Sequence, residues 1–232
     1  MDTIALKSIP ISIYPNTLAA LLKIDNNSFH YKELVPFLEE GVKIARPKAI
    51  YKPVFVEERG ENFVVLDGVK FHSRVLAINL KDIHRAFPFV VTCGIELEEW
   101  ADSLHDAIHK YWAEGIMGIA LVQAITALDK HIKDNSKIKK ISHLSPGSID
   151  DWQLEEQASL FKLLGDVETL IGVKLTGNNF MVPAKTVSGM KFPSQFDFES
   201  CMLCEREACI GRRARFNKEM WEKYFEEARN LR

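Results

Sequence analysis

Two alternating runs, Phe63 to Leu66 and Val69 to Phe71, stand on either side of Asp67-Gly68, and that arrangement is the strongest constraint this chain places on its own fold. Asp-Gly between alternating segments takes a two-residue hairpin turn whose central residues need positive φ, which glycine reaches without a steric penalty. A third alternating run, Ala49 to Val56, precedes them across Glu58-Arg59-Gly60-Glu61. Together they predict an antiparallel meander. Helical spacing flanks the meander on both sides, so the expected class is α+β: a twisted, mainly antiparallel sheet with long helices packed against it.

Upstream, a short helix is expected from Asn16, and a second from Tyr31 to Ala45 presents Leu34, Phe37, Leu38 and Val42 before Pro47 ends it. Downstream, Arg74 to His84 reads as a helix, Phe87 to Thr92 as a buried strand and Ile95 to Lys133 as a long helical region. Gly115 and Gly118 mark the place where that region is expected to kink or break. Five acids lie between Glu96 and Asp106, and five lysines against one aspartate lie between Lys130 and Lys140. The helix macrodipole accounts for acids at the start and bases at the end without invoking a partner. No internal repeat or low-complexity linker divides the chain, which favours one unit over 1–232. Within it, 1–94 holds the first helices and the meander, 95–192 the long helical region and the motif described below, and 193–232 a Cys-rich segment.

The composition, 47% apolar and 27% charged over 232 residues, is ordinary for a globular protein, and a formal charge of −2 argues against broad binding to nucleic acid or an acidic membrane. Met1 to Pro10 lacks a signal core, and no run is read as reaching the roughly 20 apolar residues of a transmembrane helix. The expected compartment is the cytoplasm, where the four cysteines would be thiols or metal ligands rather than disulfides.

The chemistry is expected in the stretch from His143 to Phe192. Ser145-Pro146-Gly147 forms a turn, and Leu154, Ala158, Phe161, Leu164, Val167 and Ile171 recur at helical spacing, with Asp150 or Asp151 at the start and Gly172 at the end. A short strand, a Gly177-Asn178-Asn179 turn and Met181-Val182-Pro183-Ala184-Lys185-Thr186-Val187-Ser188-Gly189 follow. This stretch resembles the activation domain of cobalamin-dependent methionine synthase in its free-standing form. The resemblance rests on Ser145-Pro146-Gly147, on Leu154-Glu155-Glu156-Gln157 with Leu160-Phe161-Lys162-Leu163-Leu164, on Ile171-Gly172-Val173-Lys174-Leu175-Thr176, and on Val182-Pro183-Ala184-Lys185-Thr186-Val187-Ser188-Gly189-Met190-Lys191-Phe192.

The resemblance implies a module that binds S-adenosylmethionine in a shallow groove and assists reductive methylation of a corrinoid. The sequence carries no Asp-x-His-x-x-Gly cobalamin motif, so the cobalamin is expected on a separate corrinoid-binding methyltransferase protein, with a flavodoxin-like reductant supplying the electron. By that resemblance the cofactor-binding positions are His143, Ser145, Pro146, Gly147, Ser148, Pro183, Ala184, Ser188, Gly189 and Lys191. The family's Arg-x-x-Pro-Gly-Tyr motif pairs its arginine with the methionine carboxylate, and here His143 stands at the arginine position and Ser148 at the tyrosine position. An unperturbed histidine, with a pKa of about 6.5, is mostly neutral at neutral pH. Lys191 is the expected source of the missing charge. A docking module that binds a corrinoid protein without adenosylmethionine is the alternative.

Cys201, Cys204 and Cys209 form a C-x2-C-x4-C cluster ahead of Arg212, Arg213 and Arg215. Soft thiolates at such spacing suit zinc or an iron–sulfur cluster, with Cys93, a histidine or a second molecule as fourth ligand. Redox-active thiols and unligated cysteines are the other readings, and an iron–sulfur cluster would make the chain an electron-transfer activator. His105 and His109, four apart, read as ordinary boundary residues because no third ligand accompanies them.

Overall fold

The computed structural model describes residues 2–194, 198–206, 208–209 and 212–225, so the segment 193–232 lies partly outside the described residues. The architecture is a curled antiparallel sheet with long helices against it. Its strands are β1 (Ile4–Leu6), β2 (Lys48–Tyr51), β3 (Val54–Arg59), β4 (Phe63–Leu66), β5 (Val69–His72), β6 (Arg85–Thr92), β7 (Ile141–Leu144) and β10 (Thr186–Pro193), with β8 (Lys174–Leu175) and β9 (Met181–Val182) forming a separate small hairpin. The helices are α1 (Pro15–Leu22), α2 (Phe29–Ile44), α3 (Arg74–Asn79), α4 (Ile95–Ser103), α5 (Ala107–Ser136), α6 (Glu156–Leu164), α7 (Val167–Ile171) and α8 (Lys218–Phe225).

The expected hairpin forms at Asp67-Gly68, both with positive φ (43° and 77°), and Leu66 faces Val69 across it. The run read as one strand from Ala49 to Val56 is interrupted at Lys52-Pro53, because proline has no N–H for the ladder. Both parts still follow the same edge of β6: Lys48 to Tyr51 face Thr92 to Phe89, and Val54 and Phe55 face Ala86 and Arg85. A register shift between Val56 and Glu58 then turns β3 toward β4, which curls the sheet. Strand β6 is the centre. It is buried along all but its first residue and pairs on its other edge with β10.

Helix α5 crosses one face of the sheet, laying Ala124, Leu128 and Ile132 on Tyr51, Phe87, Phe89 and Val91. Its first half packs against α1, α2 and α4, and there Gly115 admits Leu18 and Leu22, whose side-chain carbons lie 3.0 and 3.1 Å from the position a Cβ would take. That close packing, not a kink, is what Gly115 provides. The long helical region breaks instead between Ser103 and Ala107, where Asp106 accepts from the amides of Ile108 (2.7 Å) and His109 (3.0 Å) as N-cap of α5. By length and composition α5 is apolar enough to cross a membrane, contrary to expectation, but its apolar face is core: Trp112, Ile116, Ala120 and Leu128 are buried between the sheet and the N-terminal helices.

The helix expected from Leu154 to Ile171 is two helices, parted at Gly165 with Asp166 capping the second through the Thr169 amide. Asp151 caps neither. Its carboxylate accepts from Ser73 Oγ (2.5 Å) and from the amides of Arg74 and Val75, fastening the start of α3 from a distant part of the chain. The helix expected from Arg74 to His84 spans only Arg74–Asn79.

Candidate functional site

Strand β7 pairs with β10 only from Met190 to Pro193, so among the described residues no strand pairs with the outer edge of β10 from Thr186 to Gly189. Beyond Leu144 the chain turns away through Ser145-Pro146-Gly147, with Gly147 at φ 75° donating its amide to Trp152 O at 2.7 Å. The space left is an open groove of ≈ 630 Å³. His143, Ser145 and Pro146 form one wall, Thr186, Val187 and Ser188 its floor, and Asn179, Phe180, Met181 and Ala184 the opposite wall. Arg213 closes one end, and Leu154 and Gln157 support the other side.

Gln157 ties three elements together. It is buried in α6, accepts from Ser188 Oγ at 2.9 Å and donates to Asn179 O at 3.0 Å. The Ser188 hydroxyl is thus already committed to the scaffold. The opposite wall is held by Glu98, which accepts from the Ala184 amide at 2.7 Å, and by the Lys185–Glu114 ion pair at 2.6 Å. Phe180 stands 63% exposed at the rim.

Of the ten positions expected to bind a cofactor, His143, Ser145, Pro146, Ala184 and Ser188 line the groove, whereas Gly147, Ser148, Pro183, Gly189 and Lys191 do not. Gly147 shapes the turn, and Ser148 closes it by donating from Oγ to Ser145 O at 2.6 Å. Pro183 follows a cis peptide bond after Val182. Lys191 corrects the expectation most sharply: it is 1% exposed, its Nζ lies 2.5 Å from Asp129 Oδ1 of α5 and 4.4 Å above the Phe89 ring, and it does not reach the groove. Its ammonium is drawn instead to the carboxylate that α5 brings over the sheet.

The positive charge in the groove is Arg213. Its Nη2 lies 3.4 Å from Nε2 of His143, and its Nε meets Glu199 Oε2 at 2.9 Å. Burial, then the Lys191 and Arg213 charges, push the His143 pKa down to about 3, so the imidazole is neutral and its Nε2 can face a guanidinium. A histidine depressed in the fold takes up its proton in the unfolded chain first, so its contribution to stability is complete above about pH 6.5 and is lost as pH falls toward 3. His143→Gln should therefore flatten the pH dependence of urea unfolding between pH 7 and 4 by up to one proton. An unchanged slope would place the imidazole in water.

Among the described residues no three His, Cys, Asp or Glu side chains converge as a metal site. Cys201 and Cys204 are half-buried, Cys209 is exposed, and Cys93 is buried elsewhere with its thiol pushed up to about 12, by burial first and then by Glu98. His105 is exposed, and His109 stacks on Phe37 at 5.0 Å.

No protein-family model matches the sequence, and no curated protein does. A solved structure, the crystal structure of the MetH reactivation domain bound to AdoHcy, matches with a TM-score of 0.62 at 15% identity, covering 86% of this chain and 81% of that one. The fold is that of a methionine synthase reactivation domain. Gln157 closes the Leu154-Glu155-Glu156-Gln157 block, whereas Arg213 and Phe180 carried no local motif, and only the fold joins them to His143.

Proposed function

We propose that the groove beside β10 binds S-adenosylmethionine and that the chain acts as a reactivation module on a corrinoid held by a separate methyltransferase protein. The observation that carries this reading is the open edge of β10 at Thr186–Gly189, framed by the Pro146-Gly147 turn, in a fold whose solved relative holds AdoHcy. Unpaired strand backbone offers donors and acceptors to a polar nucleoside, the exposed Phe180 ring offers a face for the base, and Arg213 supplies a cation at one end. The methyl donor and the corrinoid carry the chemistry, and the chain supplies position and electrostatics. A flavodoxin-like reductant and a cytoplasmic location belong to the same proposal.

Calorimetric titration of the purified chain with S-adenosylmethionine tests it. Micromolar binding is expected, and heat-silent titration up to millimolar ligand would overturn the methyl-donor reading in favour of a docking module. A binding-competent groove should also protect from hydrogen exchange, when ligand is added, those amides between Thr186 and Gly189 that point away from β6.

A further inference from the structure

The segment that carries the cysteines is held by a guanidinium. Arg212 donates through Nη1 to Cys201 O (3.1 Å) and Ala214 O (3.0 Å), and through Nη2 to Cys204 O (3.0 Å) and to Arg206 O. Four backbone carbonyls thus converge on one planar cation, which can serve them together because its five N–H donors are fixed in a fork. The Cys204 amide donates to Cys201 O, the Arg212 amide to Cys209 O and the Asn217 amide to Met202 O, tightening the same loop. The next residue is Arg213. Its amide lies 3.5 Å from Cys201 Sγ, and its side chain enters the groove.

We propose that Arg212, by gathering the carbonyls of Cys201, Cys204, Arg206 and Ala214, presents Arg213 as the residue that binds the carboxylate of the groove's ligand. Four observations converge on this. Arg213 is the one Lys or Arg among the groove-lining residues. Lys191, the other candidate, is committed to Asp129. The His143 imidazole is neutral and cannot pair with an anion on its own. Glu199 holds Nε and neutral His143 faces Nη2, which leaves Nη1 without a partner among the described residues and fixes the plane of the fork. A guanidinium oriented in this way pairs with a carboxylate more strongly than a freely rotating one, because less side-chain freedom is lost on binding.

This inference rests on reading the groove as an adenosylmethionine site, and the test separates the two. S-adenosylmethionine and decarboxylated S-adenosylmethionine differ by the carboxylate alone. The wild-type chain should bind the first more tightly. Arg213→Ala should weaken S-adenosylmethionine by about tenfold to a hundredfold, the effect of one hydrogen-bonded charge, and leave the decarboxylated ligand within about twofold. Arg212→Ala should show the same loss of discrimination, since Arg213 is then no longer held. Treatment with a metal chelator should leave both affinities unchanged. Equal wild-type affinity for the two ligands, a parallel loss of both in Arg213→Ala, or loss of discrimination on chelation would overturn the inference while leaving the groove as a nucleoside site. If neither ligand binds the wild-type chain, the groove reading fails and the inference fails with it.

Discussion

Asp129→Ala should destabilise the fold by about 3–5 kcal/mol in urea unfolding at pH 7, the cost of leaving a buried cation unpaired. Lys191 is 1% exposed in the middle of the sheet, and Asp129 Oδ1, 2.5 Å away, is its counter-charge. The contact sets a carboxylate directly against the ammonium, so its value lies in neutralising that buried charge. Burial pulls the Lys191 pKa down, and the Asp129 charge works against that pull. The two ends of the pair are unequal. Asp129 is 29% exposed and can turn to water when its partner is lost, whereas Lys191 cannot. Lys191→Met should therefore cost less than Asp129→Ala, and Lys191→Met combined with Asp129→Leu should recover most of the loss, because two apolar groups would meet Phe89 and Leu128 in place of two desolvated charges. A loss below about 1 kcal/mol in Asp129→Ala would mean that the ammonium reaches solvent or sheds its proton without difficulty.

The same pair marks a limit of reading this site from sequence. The Val182–Gly189 block and the Pro146-Gly147 turn are local, and their residues announce a strand and a tight turn wherever they occur. Which face of β10 Lys191 takes is set by the register against β6, in which Lys191 faces Phe87, and by the helix that covers that face. Neither is a local property. Asp151 makes the point from the other direction: beside an amphipathic run it reads as a cap for its own helix, yet it caps α3, which lies more than seventy residues earlier in the chain. Likewise the break at Asp106 outranks the glycines at 115 and 118, because an aspartate that satisfies two free amides starts a helix, while a helical glycine against Leu18 serves packing. The hairpin at Asp67-Gly68 was legible because both strands and the turn are contiguous, so no distant contact had to be known.

Arg213 combines both lessons. In sequence Arg213 is one of three arginines beside three cysteines, whereas its neighbour in space is His143, 3.4 Å away. If the groove binds its ligand as proposed, the cation that the resemblance placed on β7 comes instead from the C-terminal segment. That exchange ties ligand recognition to the order of the cysteine loop, so conditions that loosen the loop should weaken the carboxylate contact before they touch the sheet.

Gly189→Ala should be the most damaging single methyl in the groove region. A Cβ at position 189 would lie 2.3 Å from Leu144 O, 2.9 Å from Ser145 Oγ and 3.2 Å from Leu144 C, and the first and last of these are backbone. No rotamer relieves such a contact, so β7 must retreat from β10 where Leu144 pairs with Met190. Overpacking of this kind costs about 1–3 kcal/mol, and here the displaced atoms include the turn that frames the groove. Glycine is needed at 189 for the close approach of two strands and not for positive φ, since its φ is outside that region. The expected signature is a lowered urea midpoint together with at least a tenfold loss of S-adenosylmethionine affinity, the affinity loss persisting at temperatures where the variant is fully folded. Gly118→Ala is the matched control: nothing lies within 4 Å of its Cβ position on α5, and removing a helical glycine there should raise stability by about 0.4–1 kcal/mol without changing ligand affinity. Full ligand affinity in folded Gly189→Ala would show that the groove does not depend on the close seating of β7 against β10, and the frame of the proposed site would have to be sought in the Phe180 wall alone.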